Sequence, residues 1–160
     1  MRLRASLLLK PPGSEHIDRI REAAAGIMAG LARGEDVGGR IASLNTITGH
    51  EEYDLVYFES LPSHSSIDEF AREAALPLPR VVPGLTRDEL IEIVRLAMTA
   101  GWPDTQYYRD LFDKNVPMSG ASGLIDYPEN WKPGQDLSKY NPTPEEIVDK
   151  ATAPGRIIHL

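Results

Sequence analysis

Four histidines, His16, His50, His64 and His159, are the residues of this chain best suited to acid–base or metal chemistry. None stands at metal-ligand spacing from another histidine, and the chain has no cysteine. His50-Glu51-Glu52 has the outline of a metal site, but no second histidine follows four residues on. His16 falls in a first helical turn, where a surface position is expected. Ser119-Gly120-Ala121-Ser122-Gly123 is rich in Gly and Ser, yet it lacks the lysine of a phosphate-binding loop and follows no clear strand. No Gly-x-Ser-x-Gly elbow with a suitable base is present. The acid pairs Glu51/Glu52 and Glu145/Glu146 are sequence neighbours. On a helix such neighbours point about 100° apart and do not converge as a hydrolase pair must. Glu145 and Glu146 are explained by a helix N-terminus, which favours negative charge. The expectation is a protein with no catalytic residues, no metal and no cofactor. An enzyme using His50 or His64 with local carboxylates is the remaining catalytic alternative.

Binding chemistry is better represented. Ser122-Gly123-Leu124-Ile125-Asp126-Tyr127-Pro128 is too short for a full helix and has apolar residues at its centre. Ser122 is suited to cap a single turn, and Pro128, without an N–H donor, ends it. Leu124 and Ile125 would face inward, with Asp126 and Tyr127 outward. An exposed tyrosine gives a large contact area at little entropic loss, so this turn is a candidate binding face.

The elements that must position this turn lie in a chain of 160 residues, enough for one domain or two small ones. A content of 41% hydrophobic and 26% charged residues fits a soluble globular protein. No apolar run approaches the ~20 residues that span a bilayer. The basic start at Met1 has too short an apolar core for a signal peptide, and with the lack of cysteine this leads us to expect the cytoplasm. The net charge of -7 and pI near 5.1 argue against direct binding to nucleic acid and match a basic partner.

Apolar spacing predicts a helix from Ser14, carried by Ile17, Ile20, Ala24, Ile27, Met28 and Leu31, with Ser14 as N-cap. A second helix carries Ile41, Leu44 and Ile47 and closes at Gly49. Residues 2–9 are a short strand or an extended arm, and Leu55-Val56-Tyr57-Phe58 is an edge strand or a buried irregular segment. Ser66 and Glu69 form a capping box. Pro77, Pro79 and Pro83 make an extended connector, which divides an N-terminal region, 1–80, from a C-terminal one, 85–160. Beyond it, Thr86 and Glu89 form a capping box, with Leu85 and Leu90 as a hydrophobic staple. Leu90, Ile91, Val94, Ala97 and Met98 make the core stripe of that helix. The next helix opens at Asp104 or Thr105, with Tyr108, Leu111, Phe112 and Val116 inward; Tyr107 and Tyr108 are adjacent and cannot both face the core. The short turn follows, then a polar loop from Glu129 to Asn141. Thr143 and Glu146 cap a last helix, with Pro144 at its first position. The expected fold is mainly α: a C-terminal four-helix bundle with a one-turn third helix, preceded by a small helical or α+β region. Trp102 and Trp131 are expected to plug the core.

Three stretches, in this order, carry a resemblance: Leu85-Thr86-Arg87-Asp88-Glu89-Leu90, Ser122 to Pro128, and Thr143-Pro144-Glu145-Glu146-Ile147-Val148. Residues 85–153 resemble the immunity proteins of the colicin and pyocin DNases. That family carries Ser-Asp-Leu-Ile-Tyr-Tyr-Pro at the second stretch and Ser-Pro-Glu-Gly-Ile-Val at the third. The resemblance implies a four-helix bundle with a distorted third helix, and a role in binding and inhibiting a cognate toxin nuclease made by the same cell. It implies that the second helix sets partner choice and the third supplies shared binding energy. Carried over by position, the family's third-helix Asp falls on Gly123, its first Tyr on Asp126 and its second on Tyr127. Its His before the turn falls on Met118. The partner-binding residues expected here are Tyr107, Asp110, Asp113, Gly123, Asp126 and Tyr127. The alternative is an interaction or scaffolding domain that kept the bundle but not toxin binding. Neither the partner's identity nor an oligomeric state follows from the sequence.

Overall fold

In a computed structural model, which describes residues 3–153, the chain forms seven α-helices and three short 3-10 turns, with no strand among the described residues. The expected mainly α fold is the observed one. The chain divides into two compact units. One holds residues 10–78; the other joins residues 3–9 to residues 79–153. Each has its own apolar core. Sequence composition separates 1–80 from 85–160, but the described residues 3–9 belong with the second region. Leu3 and Leu7 are buried in its core, which outweighs their position in the chain.

The 10–78 unit holds α1 (Ser14–Ala32), α2 (Gly38–Thr48), α3 (Leu55–Ser60) and α4 (Ile67–Ala74). Gly13, not Ser14, occupies the N-cap of α1 and offers no side-chain cap, so Ser14 is the first helical residue. Ile20, Ala24 and Ile27 are fully buried at helical spacing, and α1 packs on α2 and α4. Gly30 lets Val37 close over α1: a Cβ there would stand 2.7 Å from Val37 Cγ1. Gly49 ends α2 at φ 74°, a conformation that a side chain disfavours. Leu55–Phe58 is helical rather than a strand. Asp54 caps it by accepting the Tyr57 N–H at 2.9 Å, and Tyr57 and Phe58 are both turned to the core while Leu55 and Val56 are exposed. A strand would send adjacent residues to opposite faces. The Ser66/Glu69 capping box of α4 is complete.

The second unit is built from α5 (Arg87–Thr99), α6 (Asp104–Lys114), a 3-10 turn (Ala121–Ile125) and α7 (Pro144–Ala151). Helix α5 packs on α6 and α7, and the 3-10 turn packs on α6 and α7. Leu90, Ile93, Val94, Tyr108, Leu111, Phe112, Ile147 and Val148 form the centre of its core. The Thr86/Glu89 box is complete, and Thr143 accepts the Glu146 N–H at 3.1 Å. Glu146 turns its carboxylate to the Thr143 hydroxyl, so this third box is half-formed. Trp102 is 45% exposed and does not plug the core.

The arm, residues 3–9, is extended apart from the turn Ala5–Leu7. Leu9 donates its N–H to the Tyr108 hydroxyl at 3.0 Å. Arg4 grips Glu89 with two bonds of 2.5 and 2.7 Å. Hydrogen bonding to the Arg4 guanidinium, opposed by desolvation and aided by the Thr86 N–H, holds the Glu89 carboxyl down at about 2. A carboxyl depressed in the folded state contributes stability above its ordinary value, near ~4.3, and loses that contribution as pH falls toward its folded value. Thermal unfolding followed between about pH 5 and pH 2 should therefore show stability falling with acid. Glu89→Gln should be less stable at neutral pH and lose part of that acid slope; an unchanged slope would remove the arm's ion pair from the account.

Candidate functional site

The surface of interest is made by the outward side of α6 and the 3-10 turn Ala121–Ile125. Helix α6 advances about 100° per residue. That places Gln106, Arg109, Asp110 and Asp113 together on the side opposite the buried Tyr108, Leu111 and Phe112. Tyr107 lies on the flank. It is half-buried, meets Tyr108 edge to face at 5.4 Å, and packs on the core. Burial raises its hydroxyl pKa. Of the adjacent tyrosines, Tyr108 is thus the core residue and Tyr107 the partly accessible one.

Asp113 and Asp126 are engaged within the chain. Asp113 accepts the Ser122 N–H at 2.6 Å and the Ser122 hydroxyl at 2.7 Å, and so ties α6 to the turn. Ser122 therefore does not cap the turn: Gly120 holds the N-cap position at φ 64°, and the cap-like acceptor is Asp113. Asp126 takes a two-pronged bond from Arg109, at 2.8 and 3.0 Å. Asp110 accepts from Gln106 at 2.9 Å on the exposed face. We expect Asp113→Ala to destabilise the unit by about 1–3 kcal/mol, because it removes charge-assisted bonds and leaves the Ser122 N–H without its acceptor. Urea unfolding of the variant measures this; no change would mean that the Asp113 bonds do not hold the turn.

The turn itself presents what the sequence suggests. Ala121 and Leu124 are buried, Ile125 is half-buried, Asp126 is exposed and Tyr127 is 45% exposed. Tyr127 stacks on Trp131 with ring centres 4.6 Å apart and planes 26° from parallel. A bend beyond Pro128, closed by the Trp131 N–H to the Pro128 carbonyl at 3.1 Å, returns the indole to the tyrosine. The pair borders a cleft of about 410 Å³ shared with Met118, Gly120, Gly123 and Leu124. Nothing stands within 4 Å of where a Gly123 side chain would begin, so the backbone there is open to close approach. The Tyr140 hydroxyl donates to the Leu124 carbonyl and anchors the 129–141 loop behind the turn. No protein family, curated protein or solved structure matches the chain.

Of the six expected partner-binding residues, Asp126 and Tyr127 are exposed, while Tyr107, Asp110, Asp113 and Gly123 are half-buried. Trp131, expected to plug the core, is half-buried and stacks on Tyr127 instead. Its signal in the sequence is the spacing of four from Tyr127 across Pro128, which a tight bend converts into ring contact. The pairing of Arg109 with Asp126 has no local signal in the sequence.

The histidines are placed differently. His50 is buried, with Nε2 donating to the Leu76 carbonyl at 3.1 Å and Nδ1 3.2 Å from Glu52. Both ring nitrogens thus serve the 10–78 unit's own structure. His64 is exposed and meets Tyr57 edge-on. His16 is half-buried, and His159 lies outside the described residues. Among the described residues, no group of three or more His, Asp or Glu is arranged to hold a metal ion. No described helix is long and apolar enough to cross a membrane.

Proposed function

We propose that this chain is an immunity-type inhibitor: a non-catalytic, acidic protein that uses α6 and the Ala121–Ile125 turn to bind a cognate basic nuclease toxin in the cytoplasm. The Tyr127–Trp131 stack, with Tyr127 exposed next to the acidic Asp126 and bordering an open cleft, carries this proposal. Two joined aromatic rings supply a rigid apolar anchor of the kind that dominates interface energies. The surrounding carboxylates and the net charge of -7 would speed encounter with a cationic surface. Inhibition would follow from bulk and charge laid beside the nuclease's own substrate site, with no step performed by this chain.

The pairing of Asp126 with Arg109 favours a second reading, a scaffolding domain that kept the bundle without toxin binding. A carboxylate already satisfied by a neighbouring guanidinium has less to offer a basic partner. The two readings separate in a pull-down with the full chain from its own source lysate, at low and high salt, followed by a nuclease assay on what is captured. One basic nuclease, released by salt and inhibited by added chain, supports the inhibitor. A partner without nuclease activity, held regardless of salt, supports the scaffold and ends the inhibitor reading.

A further inference from the structure

The 10–78 unit contains a cavity of about 620 Å³, distinct from the cleft at Tyr127. It opens between the C-terminal end of α1, the turn leading into α2, and the start of α3. Its wall is apolar: Leu31, Val37, Ile41, Tyr53 and Leu55 contribute to it. Its mouth carries Glu35, Asp36, Asp54 and Glu59, and no lysine or arginine lines it. Arg33 binds Glu35 from outside the cavity, at 2.7 and 3.3 Å, and Arg40 also acts on that carboxylate. Asp54 is held in place by the Tyr57 N–H, and Asp36 by the Gly38 N–H at 2.9 Å. Glu35, Asp36 and Asp54 are therefore fixed, with Glu59 beside them, around an apolar hollow of a size that suits a small organic ligand.

We infer that this cavity binds an amphiphilic organic cation, a protonated amine carried on an apolar aliphatic or aromatic body. The apolar body fills the wall between α1 and α2, where removal from water drives binding. The ammonium group lies at the mouth beside Asp54 and Glu59, away from the Arg33–Glu35 pair. Asn45, which also lines the cavity, is fixed by its Nδ2–H, donated to the Tyr53 carbonyl at 3.0 Å. This inference does not depend on the inhibitor reading, because it concerns other residues and another ligand.

The test is an amide-resolved NMR titration of the full chain with 4-phenylbutylamine, using 4-phenylbutanol as the neutral match and 4-phenylbutyrate as the anionic one. The amine should shift the amides of Gly34, Gly38, Asn45 and Leu55 with millimolar or tighter affinity. The alcohol should bind there roughly fivefold or more weakly, and the acid more weakly still. The double variant D54N/E59Q keeps a side-chain oxygen at the α3 cap. It should bring the amine down to the affinity of the alcohol and leave the alcohol unchanged. Equal binding of amine and alcohol, shifts that map elsewhere, or no shift at millimolar amine would overturn the assignment. So would occupation of the cavity by a lysine-bearing apolar peptide when the amine itself does not bind.

Discussion

Phe112→Ala should lower the stability of the unit that carries the proposed binding face by about 3–5 kcal/mol. Phe112 is fully buried in α6, among the residues that join α5, α6 and α7. Removing its ring takes away the transfer energy of the lost atoms and leaves a cavity that helices fixed by their neighbours cannot fully close. Against a whole-domain stability of about 5–15 kcal/mol, that loss is a large fraction. The consequence reaches the site, because α6 holds the Ala121–Ile125 turn through Asp113 to Ser122 and through Arg109 to Asp126. Urea unfolding watched by tryptophan fluorescence should show an earlier midpoint for Phe112→Ala. Met98→Ala, at a position 38% exposed, should stay within about 0.5 kcal/mol of the parent. Comparable losses for the two would mean that Phe112 is not a keystone of this core.

The helices of the second unit are legible in the sequence because their signals are local. Thr86 and Glu89, or Thr143 and Glu146, lie within one turn of each other, so a cap can be read from types and spacing alone. The buried stripe of α6 is legible for the same reason. What stays hidden is pairing between distant parts of the chain. Glu89 reads as a capping residue and nothing more, yet its strongest partner is Arg4, 85 positions away. Nor does the short apolar run at Leu3–Leu7 reveal that it completes a core made by residues beyond 79. The β-branched and aromatic run at Leu55–Phe58 misleads in another way. Strand preference expresses fit to a pleated, half-buried surface, and here no neighbouring strand provides one, so the Asp54 cap and burial of Phe58 prevail.

The candidate site divides along the same line. Exposure of Tyr127 and burial of Leu124 follow from the pattern of the turn itself. The fates of Asp113 and Asp126 depend on what α6 presents to that turn across a gap of several residues, and no periodicity encodes it. A carboxylate on a predicted outward face is equally suited to a partner protein and to the chain's own N–H groups or guanidinium. In this fold Asp113 is taken by Ser122 and Asp126 by Arg109, which shifts the weight of the proposed contact onto aromatic residues.

That shift makes Tyr127→Ala the variant with the largest expected effect on binding. Removal of a central aromatic anchor takes about 2 kcal/mol or more from an interface, which is roughly thirtyfold in affinity. Here the loss should exceed that of Asp126→Ala, since Asp126 already spends its two oxygens on Arg109 and would have to give them up to meet a partner. Tyr127 is 45% exposed, so its truncation should leave the melting temperature nearly unchanged and the affinity effect can be read as contact rather than unfolding. Tyr127→Phe keeps the ring that stacks on Trp131 and should retain most of the binding; it separates the stack from the hydroxyl. Calorimetric titration of each variant against the captured nuclease decides the matter. A Tyr127→Ala protein that binds as tightly as the parent would place the interface elsewhere on the chain. A larger loss at Asp126 than at Tyr127 would mean that the Arg109 pair opens on binding and that charge, not the aromatic stack, is the anchor.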